Sequence, residues 1–549
     1  MRCGLHIDVD VPEQFNLTSY LLESNLVAGR GNDIALLYED EKYTFRQLCE
    51  LTNRFGHVLQ DLGVGFQERV LLILQDSPEW VAAWFGAMKI GAVVAHAYTY
   101  LQPSDYNYLV NYVQPRMVVV DGTTLEMVRD SVRQAKFTTG LLVAGDDPQE
   151  FGPREYALNP LLKQASPTLE AYPTKRTDLA HWNFSGGTTG KPKGVPHPHE
   201  NLVYGCLSIQ RHAMQYTPND VVLRVPKLFF HYARDIGMNW PMHYGAKNIL
   251  YPQKTTPELV FQLIEKHKPT ILVNVPTMMR AMIEHPLAKT ADLSSLRVSV
   301  ASGEPLSAQL YQDWVAAFGV ECLNSLGSAE TNIPQVLDRP GKVRAGSNGM
   351  VTPTVDLKLV DENGTEVPKG ETGVLWVKSG ASGTYYFNEP EKSRITFPGG
   401  KWVNTSDLFR EDEEGYYWCM GRADSMMKIS GVYVSPLEVE NCFEKHPAIL
   451  ECAVLGIKDE DGLAKAKIFI VLREGFEGGA AMAQELRAFG RDHLAVYKVP
   501  RTFEFLQEPL PKTGPGKIDR RKLLARPENR QNTFSFLTKA ASANASRVG

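Results

Sequence analysis

Long apolar runs are missing from this chain of 549 residues, and no window approaches the ~18 apolar residues of a membrane-spanning helix. Cysteine is scarce. The seven residues, Cys3, Cys49, Cys206, Cys322, Cys419, Cys442 and Cys452, form neither a C-x-x-C pair nor a His-rich cluster. That excludes a disulfide framework or a zinc site and fits reduced thiols in a cytoplasm. Charge of one sign is also lacking: 58 Lys and Arg face 63 Asp and Glu, for a net −5, so neither nucleic acid nor an anionic membrane surface is an expected partner. Met1 to Leu22 carries Asp8, Asp10 and Glu13 where a signal peptide has its apolar stretch. No repeat at solenoid periods occurs. The expectation is a soluble cytoplasmic protein, with a homodimer left open. At 43% hydrophobic residues it can bury a large core in more than one domain.

What is present is most concentrated in Phe184-Ser185-Gly186-Gly187-Thr188-Thr189-Gly190-Lys191-Pro192-Lys193-Gly194. Gly186, Gly187 and Gly190 let backbone N–H groups close on anionic oxygens, while the hydroxyls of Ser185, Thr188 and Thr189 add donors. Lys191 and Lys193 supply charge. The composition fits a polyphosphate wrap. It is not a P-loop, because only three residues separate Gly186 from the Gly190-Lys191 pair and Pro192 stands where a Mg²⁺-binding Ser or Thr is required. Pro192 also opposes an immediate helix, so a helix N-terminus is not expected behind this loop.

Strand-like runs alternate with helical stretches over the first two thirds of the chain. The pairs are Val70–Leu74 with Pro78–Met88, Met117–Val120 with Leu125–Ala135, Ile271–Val275 with Met278–His285, and Arg297–Ala301 with Ala308–Phe318. Continuous β-branched strands in this rhythm predict parallel sheets covered on both faces, in doubly wound α/β layers. From about Val351 short β runs (Val355–Val360, Gly373–Lys378, Tyr416–Cys419) punctuated by Asn363-Gly364, Lys369-Gly370 and Gly399-Gly400 predict an antiparallel, barrel-like section. A small α+β unit follows, with strands near Cys452–Gly456, Lys467–Leu472 and Thr502–Leu506 and a helix near Met482–His493. Domain boundaries are expected at 1–423, 424–526 and a frayed tail over 527–549.

The glycine–hydroxyl loop resembles the phosphate-binding signature of the adenylate-forming superfamily, which contains acyl-CoA synthetases, peptide-synthetase adenylation domains and firefly-type luciferases. Further segments resemble that family in order. Ser302-Gly303-Glu304-Pro305 is similar to its adenine-lining segment, and Leu326-Gly327-Ser328-Ala329-Glu330, preceded by Ser325, to its aromatic-Gly-x-Thr-Glu motif. Thr405-Ser406-Asp407 resembles Thr-Gly-Asp, Gly421-Arg422-Ala423-Asp424 resembles Gly-Arg-x-Asp, and Lys428-Ile429-Ser430-Gly431 and Pro511 to Lys517 follow.

The resemblance implies ATP, Mg²⁺ and coenzyme A as reactants and cofactor, with a small carboxylate as substrate. Ser185, Thr188, Thr189 and Lys193 would hold phosphates. Glu330 would bind Mg²⁺, the alternative being a solvated strand-end carboxylate. Asp407 and Arg422 would hold the ribose, the alternative for Asp407 being a turn aspartate. Lys517 would bridge carboxylate and α-phosphate, where residue type alone reads as one surface lysine beside Lys512, Arg520, Arg521 and Lys522. Asp424 is the implied hinge between two half-reactions, with Lys428 to Gly431 presented in the second. Ser425 stands where a second acid is common.

Lys227-Leu228-Phe229-Phe230-His231-Tyr232-Ala233-Arg234 resembles the benzoate–CoA ligase subgroup, and His231 stands where amino-acid-activating domains have an aspartate. By that resemblance Tyr232, Ala233, Gly327 and Ile333 line the acyl pocket, with His231 and Asn332 beside them. His231 has a second reading, a hydrogen-bonded core histidine. Three residues depart from the pattern: Leu326 replaces an aromatic, Ala329 replaces Thr, and Ile333 replaces a histidine. The implied activity is AMP-forming ligation of an aromatic or alicyclic carboxylate to coenzyme A. Loading of a carrier-protein thiol, or of a medium-chain acid, stays open.

Overall fold

The computed structural model describes residues 6–145, 151–186, 191–429, 432–458, 464–512, 518–527 and 531–536. The chain divides into two compact units. The larger comprises Met1–Glu371, Leu375–Thr405 and Glu411–Trp418, and the smaller comprises Thr372–Val374, Ser406–Arg410 and Cys419–Gly549.

Two sheets dominate the larger unit. The first runs Glu155–Ala157, Gly140–Ala144, Met117–Asp121, Arg69–Ile73, Val93–His96, Leu179–Ser185 and Lys193–Pro198. All neighbours are parallel except the last pair. The second has nine strands, with parallel Lys247–Leu250, Val221–Arg224, Ile271–Asn274, Val298–Ala301 and Cys322–Leu326 inside it. Each central strand is covered on both faces. Val70 and Leu72 of one strand enter a core shared with Ile271 and Val298 of the other sheet, while Leu71 and Ile73 enter a separate core. This double burial explains the unbroken apolar runs.

Local signals start the helices where they are found. Thr44 and Gln47 form a capping box ahead of Phe45–Asp61, and the Ser77 side chain accepts from Trp80 N ahead of Pro78–Lys89. Trp80 and Trp84 of the second helix are buried in the shared core.

The barrel-like section expected from about Val351 contains a sheet of four strands in chain order, Val355–Val360, Thr372–Ser379, Val403–Glu411 and Tyr417–Arg422.

The smaller unit holds the hairpin Met427–Ile429 with Val432–Val434 and a sheet ordered Ile449–Lys458, Ala464–Leu472, Thr502–Leu506, Thr533–Ser535. Of the tail expected to fray over 527–549, only residues 527 and 531–536 are among the described ones. Thr533–Ser535 pairs antiparallel with Thr502–Glu504, and Phe534 and Phe536 pack on the unit's core. Two aromatic side chains outweigh the polar composition around them. No helix among the described residues is long and apolar enough to cross a membrane.

Candidate active site

The glycine–hydroxyl loop joins two antiparallel strands, Leu179–Ser185 and Lys193–Pro198, with Ser185 and Lys193 opposite each other in the ladder. Among the described residues a strand, not a helix, follows Pro192. Gly187, Thr188, Thr189 and Gly190 lie outside the described residues. A Cβ on Gly186 would meet nothing within 4 Å, so the space beside it is open. Gly194 has no such freedom, because a Cβ there would lie 2.7 Å from the Trp182 ring. Two tyrosines that carried no sequence signal clamp the loop base. Tyr108 Oη donates to Pro192 O at 3.0 Å, and Tyr112 Oη accepts from Gly194 N at 3.1 Å. Lys191 Nζ lies 4.8 Å from the Tyr108 ring centre.

Glu330 is only 9% exposed, which removes the solvated-carboxylate alternative. Tyr386 Oη donates to Glu330 Oε1 at 2.6 Å. Burial opposes ionisation, yet hydrogen bonds from Tyr386, Ser185 and Ser328 outweigh it and hold the carboxyl below the usual glutamate value. Lys193 Nζ lies 4.5 Å from the centre of the Tyr386 ring. An ionised, largely enclosed carboxylate is a hard oxygen donor. No group of three or more His, Cys, Asp or Glu with metal-site geometry occurs among the described residues. The donor set therefore fits a cation that takes most of its ligands from phosphate and water, as Mg²⁺ does.

Beneath this, the Asn201 amide lies 3.1 Å from His197 Nδ1 and His197 Nε2 lies 2.9 Å from Ala329 O. An amide donor on one nitrogen and a carbonyl on the other describe a neutral ring protonated at Nε2. Burial lowers the His197 pKa to about 4, in agreement.

Next to Gly327 and Ser328 is a narrow cleft. Its walls are His231, Tyr232, Asp235, Ile236, Trp240, Ile333 and Pro334, and its polar floor is Ser302, Ser325 and Asn332. His231 is partly exposed and lines the cleft, so it is not a core histidine. Ala233 is fully buried in the large core, next in sequence to the cleft-lining Tyr232. Gly327 is required by close approach, since a Cβ there would stand 2.9 Å from Ile333 O. Asp235, Ile236, Trp240 and Pro334 were not expected from the sequence. The first two begin a π-helical turn, Asp235–Asn239, whose altered phase has no clear sequence signal.

The other larger-unit residues of interest sit at strand ends. Ser302 Oγ donates to Ser325 O at 2.8 Å, joining the ends of Val298–Ala301 and Cys322–Leu326. Gly303 takes a positive φ of 86° and lies 3.8 Å, through an added Cβ, from the Tyr232 ring. Glu304 accepts from Thr277 N and Oγ1 at 3.1 and 2.6 Å, and Pro305 is exposed. Leu326 O accepts from Gln335 N at 2.9 Å.

Within the smaller unit, Arg422 Nη1 donates to Asp407 Oδ1 at 3.3 Å. Its Nε and Nη2 grip Asp424 in parallel at 3.0 Å each, and this pair holds the Asp424 carboxyl below its ordinary value. Asp407 lies inside the strand Val403–Glu411, not in a turn. Lys428 lies on the strand Met427–Ile429 opposite Tyr433, its side chain outside the described part. Ser430, Gly431 and Lys517 lie outside the described residues.

A family model described as AMP-binding enzyme matches residues 24–387, and one described as AMP-binding enzyme C-terminal domain matches 438–517. The chain belongs to the AMP-binding enzyme family. A benzoate–CoA ligase of Thauera aromatica is 36% identical over 517 residues, covering 94% of this chain and 97% of that protein. A 4-hydroxybenzoate–CoA/benzoate–CoA ligase of Rhodopseudomonas palustris is 33% identical over 92% of this chain and 93% of that one. Among solved structures, the anthranilate CoA ligase AuaEII in complex with anthranoyl-AMP superposes with a TM-score of 0.88 at 36% identity, covering 94% of this chain and 98% of that chain. A benzoate CoA ligase from Burkholderia xenovorans LB400 gives 0.85 at 34% identity, over 93% and 99%.

Proposed function

We propose that this member of the AMP-binding enzyme family is an AMP-forming acid–CoA ligase for a flat aromatic or alicyclic carboxylate. The observation that carries the reading is the cleft: Tyr232, Ile236, Trp240 and Ile333 wall a narrow space that begins at Gly327 and Ser328, a turn away from the ionised Glu330. Ring-shaped apolar ligands gain most from such walls. The aryl–CoA ligases related along nearly the whole chain support the same substrate class.

In this reading the substrate carboxylate attacks the α-phosphorus of ATP, releasing pyrophosphate, and the thiol of coenzyme A then displaces AMP. The residues act mainly by position and charge. Ser185, Lys193 and the loop amides hold the phosphates. Glu330 holds Mg²⁺, which supplies charge neutralisation on the phosphates when bound. Asp407 and Arg422 take the ribose hydroxyls. Lys517 neutralises charge between carboxylate and α-phosphate in the first half-reaction, and the segment from Lys428 to Gly431 serves the thiol step after rotation about Asp424. Cys49, Cys206, Cys322, Cys442 and Cys452 are buried as free thiols, which supports action in a reducing cytoplasm.

The test is a panel of benzoate, cyclohexanecarboxylate and hexanoate with ATP, Mg²⁺ and free coenzyme A, read as pyrophosphate release and thioester mass. Ring acids are expected to exceed hexanoate. Pyrophosphate release without a CoA thioester would move the reading to a carrier-protein acceptor.

A further inference from the structure

Arg234, at the end of the short helix His231–Arg234, is fully buried. Its Nε and Nη2 donate to the Asp235 carboxylate at 2.9 and 3.3 Å, and its Nη1 lies 2.7 Å from His96 Nε2. Nη2 also donates to Asn183 Oδ1 at 2.9 Å. Asn183 Nδ2 in turn donates to Asn332 Oδ1 at 2.6 Å. The polarity of this relay follows from chemistry. A guanidinium has donors only, so the Asn183 oxygen must face Arg234 and its N–H₂ must face Asn332. The Asn332 oxygen must then face back toward Asn183. What remains at the other end of Asn332 is an amide N–H₂.

That donor is buried and has no partner among the described residues. Asn332 itself is 1% exposed and lines the cleft. Its backbone is held at a φ of 52°, a left-handed conformation Asn tolerates, and its N donates to Ser328 O at 3.0 Å. Ser325 Oγ, on the same cleft, is likewise without a partner among the described residues. Buried donors are rarely left unpaired, so one at a ligand cleft points to a group the ligand supplies.

We propose that Asn332 determines specificity: its amide donates to an oxygen acceptor on the ring of the acyl substrate, so the preferred acid is a hydroxylated ring carboxylate. This rests on the ligase reading and narrows its substrate. A hydroxyl accepts from Asn332 and can still turn its own hydrogen elsewhere. An amine at the same ring position sets N–H against N–H, and an unsubstituted ring leaves the amide unpaired.

The experiment compares benzoate with the 2-, 3- and 4-hydroxybenzoates and aminobenzoates on the full chain. It reads kcat/KM from pyrophosphate release and, separately, binding by calorimetry. One hydroxybenzoate should exceed both benzoate and its amino counterpart by about tenfold or more. In Asn332→Leu those ratios should fall to within about twofold. Asn332→Asp keeps the acceptor facing Asn183 and turns the free end into an acceptor, so the amino counterpart should gain on the hydroxy acid. If Asn332→Leu does not fold, this second variant decides. Equal handling of benzoate and all hydroxybenzoates by the unaltered protein overturns the proposal. So does a loss in Asn332→Leu by the same factor for every acid, which would mean that Asn332 serves the fold or the common carboxylate. A hydroxy-acid preference in calorimetry without ligation would sustain the Asn332 assignment and sink the ligase reading, and ligation without preference would do the reverse.

Discussion

Tyr386 donates its hydroxyl to Glu330 Oε1 at 2.6 Å, across 56 residues of chain. Lys193, from the phosphate loop, lies over the same tyrosine ring. Tyr386 therefore ties a candidate metal ligand to the loop that would hold the phosphates. Tyr386→Phe should raise the Glu330 pKa by removing the largest favourable contribution to its ionised form. The folded-state pKa of Glu330 is depressed, so its contribution to stability is present above the unfolded value and lost as pH falls through the folded one. The substitution should cost about 1–3 kcal/mol in urea unfolding at neutral pH and move the acid limb of pyrophosphate exchange toward higher pH. An unchanged acid limb would show that Tyr386 does not govern this carboxylate.

Lys517→Ala should lower acyl-adenylate formation by about 100-fold or more while largely sparing thioester formation from a pre-made adenylate. Gly431→Trp should do the opposite by blocking the thiol. Single-turnover measurements of each half-reaction decide between this division and a shared site, for which both steps would fall together.

Much of the fold was legible in the sequence: the strands Val355–Val360 and Thr502–Leu506 and the helix Ala308–Phe318 appear with the bounds their patterns implied. Helix starts were less legible. The helix expected from Met278 begins at Pro276, because a proline suits the first turn, where its missing N–H is not used. At the site, loop residues announce themselves by composition, but partners distant in sequence do not. Nothing local pairs Tyr386 with Glu330, or Arg234 with Asn183 and Asn332, since tertiary packing of loops, a helix and a strand far apart in the chain sets those contacts. The role of Lys517 was legible only through family likeness.

Five buried histidines shape the response to acid. Burial lowers the pKa of His197 and His212 to about 4 and of His199 to about 3, from an ordinary 6.5, and holds His96 and His181 well below that ordinary value. Each is neutral in the folded protein and gains a proton on unfolding. Their stabilising contribution is therefore complete above about pH 6.5 and is lost as pH falls toward about 4. Urea midpoints measured from pH 7 to pH 4.5 should fall by the equivalent of at least about 2 kcal/mol. A flat profile would contradict these assignments.

Gly327→Ala tests the close approach at the edge of the cleft. A Cβ would lie 2.9 Å from the backbone oxygen of Ile333, and backbone yields less readily than a side chain. A loss of about 1–3 kcal/mol in unfolding free energy is expected, with a larger proportional loss of activity on ring acids than on hexanoate. Equal losses on both substrates would separate Gly327 from the cleft.

The most direct measurement is the product balance of one reaction containing a hydroxybenzoate, ATP, Mg²⁺ and coenzyme A, resolved by mass spectrometry and nucleotide chromatography. The account requires aroyl-CoA, AMP and pyrophosphate in equal amounts. ADP with phosphate, or AMP without any CoA thioester, would contradict it.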